Sequence, residues 1–179
     1  SSTHRPPIKI HGGKFYLAPR IVELLPPHHT YVEPFLGAGS VFLNKSSSPV
    51  EILNDLNAEI SNLFLVLRDH GDALREKLIL TPYDENEYLL SSQPVDDPVE
   101  RARRFYVHMR QSIGGRGDGF SYTIHRTRRE LPDAVSSWLS SIEDELPYVT
   151  QRLREALILN RDALWVLRTY DSPETLFYC

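Results

Sequence analysis

The chain has 179 residues, 41% of them apolar and 25% charged, with a net charge of −4, which fits one soluble domain or one domain carrying an insertion. No apolar run approaches the ~20 residues that span a bilayer, and Ser1 to Lys9 is polar and proline-bearing, unlike a signal peptide. A single cysteine, Cys179, excludes an internal disulfide and suits a reducing, cytoplasmic setting.

Residues 1–15 read as an irregular lead-in that ends at Gly12-Gly13-Lys14. Leu17 to Leu25 predicts a short helix, stopped by Pro26-Pro27. Thr30 to Glu33 predicts a buried strand, Gly39 to Lys45 the start of a helix, and Val50 to Leu53 a second strand that runs into Asn54-Asp55. From Asn57, the spacing of Ile60, Leu63, Phe64 and Leu67 predicts a long amphipathic helix with Gly71 as its end. Residues 81–147 differ in character, with prolines at 82, 94, 98, 132 and 147, a glycine cluster over 114–119 and many arginines. They predict an inserted, largely helical segment with an extended loop, distinct from the core. Tyr148 to Glu155 then predicts a helix, Ala156 to Leu159 a strand, Asp162 to Tyr170 a helix and Thr175 to Tyr178 a last strand. Trp138 and Trp165 both fall on apolar helix faces and are expected in the core. Strands alternating with helices imply an α/β fold with a parallel sheet, and such sheets bind ligands beyond the carboxyl ends of their strands.

The run Glu33-Pro34-Phe35-Leu36-Gly37-Ala38-Gly39-Ser40 carries the chemistry. Gly37 and Gly39 let the chain turn sharply between strand and helix, so backbone N–H groups can face a ligand. Asp55 stands at the end of the next strand, where a carboxylate can accept hydrogen bonds from both ribose hydroxyls of an adenosine. The bland alternative is a tight turn with Asp55 as a helix cap. A dinucleotide site wants a third glycine where this chain has Phe42, which counts against a nicotinamide cofactor. Glu33 would repel a pyrophosphate and is better matched to the ammonium and sulfonium of S-adenosyl-L-methionine.

Three stretches together resemble the Dam-like DNA adenine-N(6) methyltransferases: Ile8-Lys9-Ile10-His11-Gly12-Gly13-Lys14, Tyr31 to Asn44, and Ile52-Leu53-Asn54-Asp55-Leu56-Asn57. The resemblance covers essentially the whole chain, strongly to about Asn62, loosely through the insertion and again over Arg152 to Cys179. It implies a partial Rossmann-like S-adenosylmethionine-dependent methyltransferase core over 1–80 and 148–179, with a mostly helical target-recognition insertion over 81–147. It places Ile10, His11, Gly12 and Lys14 beside the cofactor. Phe35, Gly37 and Gly39 would line its methionine and ribose side, with Glu33, Pro34 and Ser40 also in contact with the cofactor. Asp55 would meet the ribose hydroxyls, Leu56 would also touch the cofactor, and Asn160 and Asp162 would flank the adenine. An aromatic residue is common at the position of Ile10, so plain packing replaces a stacking contact there.

The family attacks a flipped adenine through an Asp-Pro-Pro-Tyr motif at the end of the fourth core strand, without a metal. That motif does not occur here; Asp97-Pro98 and Asp171-Ser172-Pro173 are the nearest strings. The expectation is therefore a truncated parent, inactive alone, whose uncovered sheet surface favours self-association. Arg101 to Arg129 holds eight arginines and one acid, Asp118. From it, Arg110, Arg116, Arg126, Arg128 and Arg129 are expected on double-stranded DNA, with Phe120 and Tyr122 as wedging or stacking residues. Arg101 and Arg104 can instead pair with Asp97 and Glu100 along a helix. Two rival readings stand: a non-catalytic DNA-binding module with a vestigial cofactor pocket, and a nicotinamide-dependent oxidoreductase.

Overall fold

A computed structural model describes residues 3–10, 12–113, 118–122 and 133–179. Four strands, β1 (Thr30–Glu33), β2 (Val50–Asn54), β3 (Leu157–Leu159) and β4 (Thr175–Phe177), form one sheet in the order β3-β2-β1-β4. Every pairing is parallel; Val32 lies opposite Ile52 on one side and Phe177 on the other. The order reverses direction at β1, so the carboxyl ends of β1 and β4 flank the place where such sheets open a crevice.

Alternation along the strands explains why both faces are covered. Tyr31, Leu53 and Ile158 join a large core with α3 (Ala58–Asp69), while Val32 and Ile52 pack with Val166 of a late helix on the opposite face. Parallel sheets need this two-sided burial, since each strand is joined to the next by a crossover. In α3 the spacing of Ile60, Leu63, Phe64 and Leu67 buries one stripe, and the Asn57 side chain caps its start by accepting from the Glu59 N–H.

Helix α3 ends at Asp69, but Gly71 does not terminate it. Gly71 opens α4 (Gly71–Ile79), and a methyl group added at Gly71 would lie 2.4 Å from the Thr150 hydroxyl oxygen. The glycine serves a close approach between two helices 79 residues apart in sequence rather than a left-handed cap.

Segment 81–147 is largely helical where it is described: α5 (Glu85–Ser91), α6 (Pro98–Arg110) and α7 (Asp133–Ser140), the last passing through a π turn (Ser141–Glu145) into α8 (Leu146–Arg152). Pro147 has no N–H to give the preceding turn, which accounts for the widened winding just before it. Ala102, Tyr106, Val107, Trp138 and Ile142 belong to the same continuous apolar core as Leu53 and Phe64, so this segment is packed into the core rather than set apart from it. Trp138 also donates from Nε1 to the Thr81 carbonyl at 3.1 Å. The basic face of α6 is largely self-neutralised. Arg103 bridges Glu100 and Glu87, Arg104 pairs with Glu100 at 3.1 Å as its spacing predicts, and Arg101 pairs with Glu59 rather than Asp97.

The chain returns to the sheet through β3 and α9 (Ala163–Tyr170), which Asp162 caps. Trp165 departs from expectation: it is 38% exposed, with the Arg161 guanidinium 4.4 Å above its ring. No described helix is long and apolar enough to cross a membrane.

Two short elements complete the core: α1 (Ala18–Leu24), started by the Pro19 turn, and α2 (Ser40–Asn44) behind the glycine bend. The lead-in is fastened down by the Asn44 side chain, which accepts from the His4 N–H at 2.7 Å and donates to its carbonyl at 2.9 Å. Further along the lead-in, Ile10, Gly12, Gly13 and Lys14 lie beside the glycine bend.

Candidate functional site

The carboxyl end of β1 turns at once into the glycine bend. Gly37 and Gly39 have φ of +57° and +78°, left-handed values that disfavour any side chain, and a methyl group added at Gly39 would lie 3.3 Å from the Phe64 ring. The bend is not free-standing. The Gly37 N–H donates to Asp55 Oδ2 at 2.8 Å, and the Asn57 N–H donates to Asp55 Oδ1 at 2.9 Å. Asp55 thus joins the loop after β1 to the start of α3 while two of its roughly four lone-pair positions stay available.

Behind this clamp lies a residue that sequence patterning did not single out. Asn54 is fully buried; its Nδ2 donates to the Pro34 carbonyl at 3.0 Å and the Arg161 carbonyl at 2.9 Å, and its Oδ1 accepts from the Arg161 N–H at 2.8 Å. One side chain therefore ties together the exits of β1, β2 and β3. Asn160 adds a second brace, donating to the carbonyls of Asp55 at 2.8 Å and Leu56 at 3.0 Å. Leu56 itself is 70% exposed, and Asp162 spends one oxygen on the Leu164 N–H as a helix cap.

A cleft of about 200 Å³ opens over the bend. Its walls bring together Ile10, Gly12, Lys14, Glu33, Phe35, Gly37, Gly39 and Ser40. Tyr178 and Cys179, following β4, form the remaining side, with the Tyr178 N–H bonded to the Val32 carbonyl at 3.0 Å. Asp55 reaches this cleft through Gly37, whereas Pro34, Leu56, Asn160 and Asp162 lie in the loops behind or beside it. His11 lies outside the described residues.

Glu33 dominates the electrostatics. It is 2% exposed, its Oε2 accepts no hydrogen bond, and burial pushes its carboxyl up to about 8 against the opposing pull of the Tyr31 hydroxyl, the Phe42 amide and Lys45. The Tyr31 hydroxyl is itself buried without a hydrogen-bond partner of good geometry, and burial followed by the Glu33 charge raises its pKa. Further in, the strand alternation that aims Glu33 and Tyr31 also aims Glu51. There Glu51 holds Arg152 through two bonds, at 2.5 and 2.7 Å, and Lys45 at 3.0 Å. The cations lie over aromatic rings, Lys45 on Tyr31 and Arg152 on Phe42. Ser40 Oγ is likewise buried and without a partner, on the cleft wall. Glu33 and Ser40, each with a buried side-chain oxygen lacking a hydrogen bond among the described residues, line one cleft and suit a ligand with a positive group and hydrogen-bonding capacity.

Residues 11–129 match the family model of the D12 class N6 adenine-specific DNA methyltransferases. The chain belongs to that family. It is 29% identical to the DNA adenine methylase of Haemophilus influenzae, over 98% of this chain and 63% of that protein. It is 32% identical to the type II methyltransferase M1.LlaDCHI of Lactococcus lactis subsp. cremoris, over 62% of this chain and 42% of that one. With the DNA adenine methylase of Escherichia coli K12 it shares 30% identity over 65% and 37%. The chain spans less than two thirds of the length of each of these relatives. Membership in this family sets the nicotinamide oxidoreductase reading aside.

Of the residues expected on DNA, Arg110, Phe120 and Tyr122 are described; Arg116, Arg126, Arg128 and Arg129 lie outside the described residues. Arg110 is half-buried at the end of α6, 3.4 Å from the Ser137 carbonyl and hydroxyl oxygens. Phe120 does not stand free as a wedge. Its ring packs against Tyr83 at 5.1 Å, Tyr88 at 5.9 Å and Tyr122 at 5.0 Å, and its backbone bridges to Ser112. Tyr122 is exposed and its hydroxyl donates to Glu85 at 2.5 Å.

Proposed function

We propose that this chain forms the cofactor cleft and part of the DNA-facing surface of an enzyme that transfers a methyl group from S-adenosyl-L-methionine to the exocyclic amine of adenine in double-stranded DNA. The observation that carries the reading is the buried Glu33 carboxyl, one oxygen of which lacks a hydrogen bond among the described residues, lining a cleft with the glycine bend that Asp55 clamps. Glu33 suits the positively charged amino-acid end of the cofactor. Lys14 and the Gly12 to Lys14 backbone close over the same end, and Phe35, Gly37 and Gly39 border the cleft beside it. Asp55 keeps lone pairs for ribose hydroxyls, and exposed Leu56 offers an apolar surface to the adenine beside Asn160 and Asp162. When bound, the cofactor supplies an already activated methyl.

The residues present hold and orient; they do not supply the acceptor chemistry. Asp-Pro-Pro-Tyr is absent from the 179 residues, so the chain alone binds cofactor without methylating DNA. In the full reaction, an adenine flipped from the duplex would enter from the side where β4 delivers Tyr178 and Cys179 to the cleft. We assign residues 81–147 to target recognition and the open edge of β4 to self-association.

Isothermal titration of the 179-residue chain with S-adenosylhomocysteine and with NAD tests this reading. Saturable one-to-one binding of the first, lost in Asp55→Ala, is expected. Absence of that binding, or a preference for NAD, overturns it. Incorporation of labelled methyl into duplex DNA by this chain alone would overturn the assignment of the acceptor chemistry to residues it lacks.

A further inference from the structure

A second cavity, of about 250 Å³, adjoins the cofactor cleft and shares Ile10, Gly13, Ala38 and Ser40 with it. Its outer wall is cationic. Arg5 and Lys9 come from the lead-in and Arg110 from the end of α6, so elements a hundred residues apart in sequence converge on one opening. None of the three forms an ion pair among the described residues. Arg5 lies 5.3 Å over the Phe15 ring, Arg110 lies 6.0 Å over the Tyr106 ring and makes long contacts to Ser137, and Lys9 has no hydrogen-bond partner among the described residues. Glu145 faces the group, yet its buried Oε2 accepts no hydrogen bond.

Three cations around one opening repel one another, and an anion among them would offset that repulsion. Partial burial, then the charges of Arg110 and Arg5, push the Lys9 ammonium down against the opposing pull of Glu145. Arg101, Arg103 and Arg104 of the same helix are matched with acids, whereas half-buried Arg110 forms no ion pair among the described residues. On the inner wall Ser40 is 6% exposed, and its unpartnered hydroxyl borders both cavities. Two guanidinium forks, one ammonium and a neutral donor suit a phosphate, and the volume suits a phosphodiester better than a drug-sized ligand. The position beside the cleft, with Tyr16 90% exposed at the rim, favours a polymer that passes over the site.

We propose that Arg5, Lys9 and Arg110 cup one backbone phosphate of the DNA strand at the mouth of the cofactor cleft, with Ser40 Oγ as its inner donor. The inference rests on the DNA reading above and adds a single shared contact to it. Such a contact carries no sequence information; it sets the register of the strand against the cleft.

The test is fluorescence anisotropy of the 179-residue chain with a labelled duplex of about 20 base pairs, between about 50 and 200 mM salt. Lys9→Ala and Arg110→Ala should each weaken binding about tenfold, while Arg20→Ala, in an exposed pair with Glu23, should not. The double variant Lys9→Ala/Arg110→Ala should lower the slope of log K against log salt by about one, the value for one phosphate. Lys9→Gln, which keeps most of the stem, should repeat the loss if Lys9→Ala does not fold. A slope lowered by about two would mean separate contacts and overturn the shared cup, as would an unchanged slope or no duplex binding by the parent chain. Inorganic phosphate at constant ionic strength separates the sources. If it raises the melting temperature in a Lys9-dependent way while duplex affinity ignores the double variant, the site takes a free anion and the DNA assignment falls. S-adenosylhomocysteine affinity should stay within about twofold throughout, so loss of the cofactor reading and loss of this one give different results.

Discussion

Replacing Glu33 by glutamine should flatten the pH dependence of this protein's stability. In the unfolded chain the carboxyl titrates near 4.5, and burial holds it at about 8 in the folded one. Between those values the native state keeps a proton that the unfolded state has released. Stability therefore falls as pH rises from about 4.5 to about 8 and is level above that. Each unit is worth about 1.4 kcal/mol, so the loss between about pH 5.5 and 8.5 is on the order of 3 kcal/mol. Glu100 does not confuse the measurement: hydrogen bonds from Arg103 hold it down to about 2, so its stabilisation is complete above 4.5 and is lost only as pH falls toward 2. Urea unfolding of parent and Glu33→Gln chains across that range gives the difference in slope, which is insensitive to a constant cost of the substitution. Parallel curves for the two chains would refute the reasoning. The same carboxyl should ionise when a positively charged group enters the cleft. S-adenosylhomocysteine binding near pH 7 should then release close to one proton, read from calorimetry in buffers of different ionisation enthalpy.

Other substitutions test the scaffold. Glu51→Gln should cost about 3–5 kcal/mol in urea unfolding, because it leaves Lys45 and Arg152 buried together without their shared anion. Gly71→Ala should cost about 1–3 kcal/mol through the clash with Thr150, and Gly71→Ala/Thr150→Ala should recover most of it, since only the Thr150 Cβ then remains within 3.1 Å. Asp55→Ala should destabilise the chain by about 1.5–3 kcal/mol, chiefly through the part-buried Gly37 N–H it abandons, since water can serve the exposed Asn57 N–H, and Asp55→Asn by less, because the amide keeps one acceptor.

What the sequence announced and what it hid divide along a physical line. Strands and helices whose signal is periodic and local, such as β1 over Thr30–Glu33 and α3 with its buried stripe, are where patterning puts them. The glycine bend was legible too, since a left-handed turn leaves a mark at single positions. Contacts between distant segments leave no such mark. Gly71 looks like a helix end because its reason for being glycine, Thr150, stands on another helix. Trp138 and Trp165 occupy similar apolar faces, and only the neighbours each helix acquires decide that one is enclosed and the other capped by Arg161. Phe120, in a basic glycine-rich stretch, resembles a wedge until Tyr83 and Tyr88 are seen to surround it. The site divides in the same way. Glu33 and Asp55 are visible as residues, but the bracing that gives them direction comes from Asn54 joining three loop exits and from Glu51 meeting Arg152 a hundred and one residues away. A carboxyl is tuned by what folds around it, so the chemistry of Glu33 is a property of the sheet's two covered faces, and any change that lets water reach that face should return its titration toward 4.5.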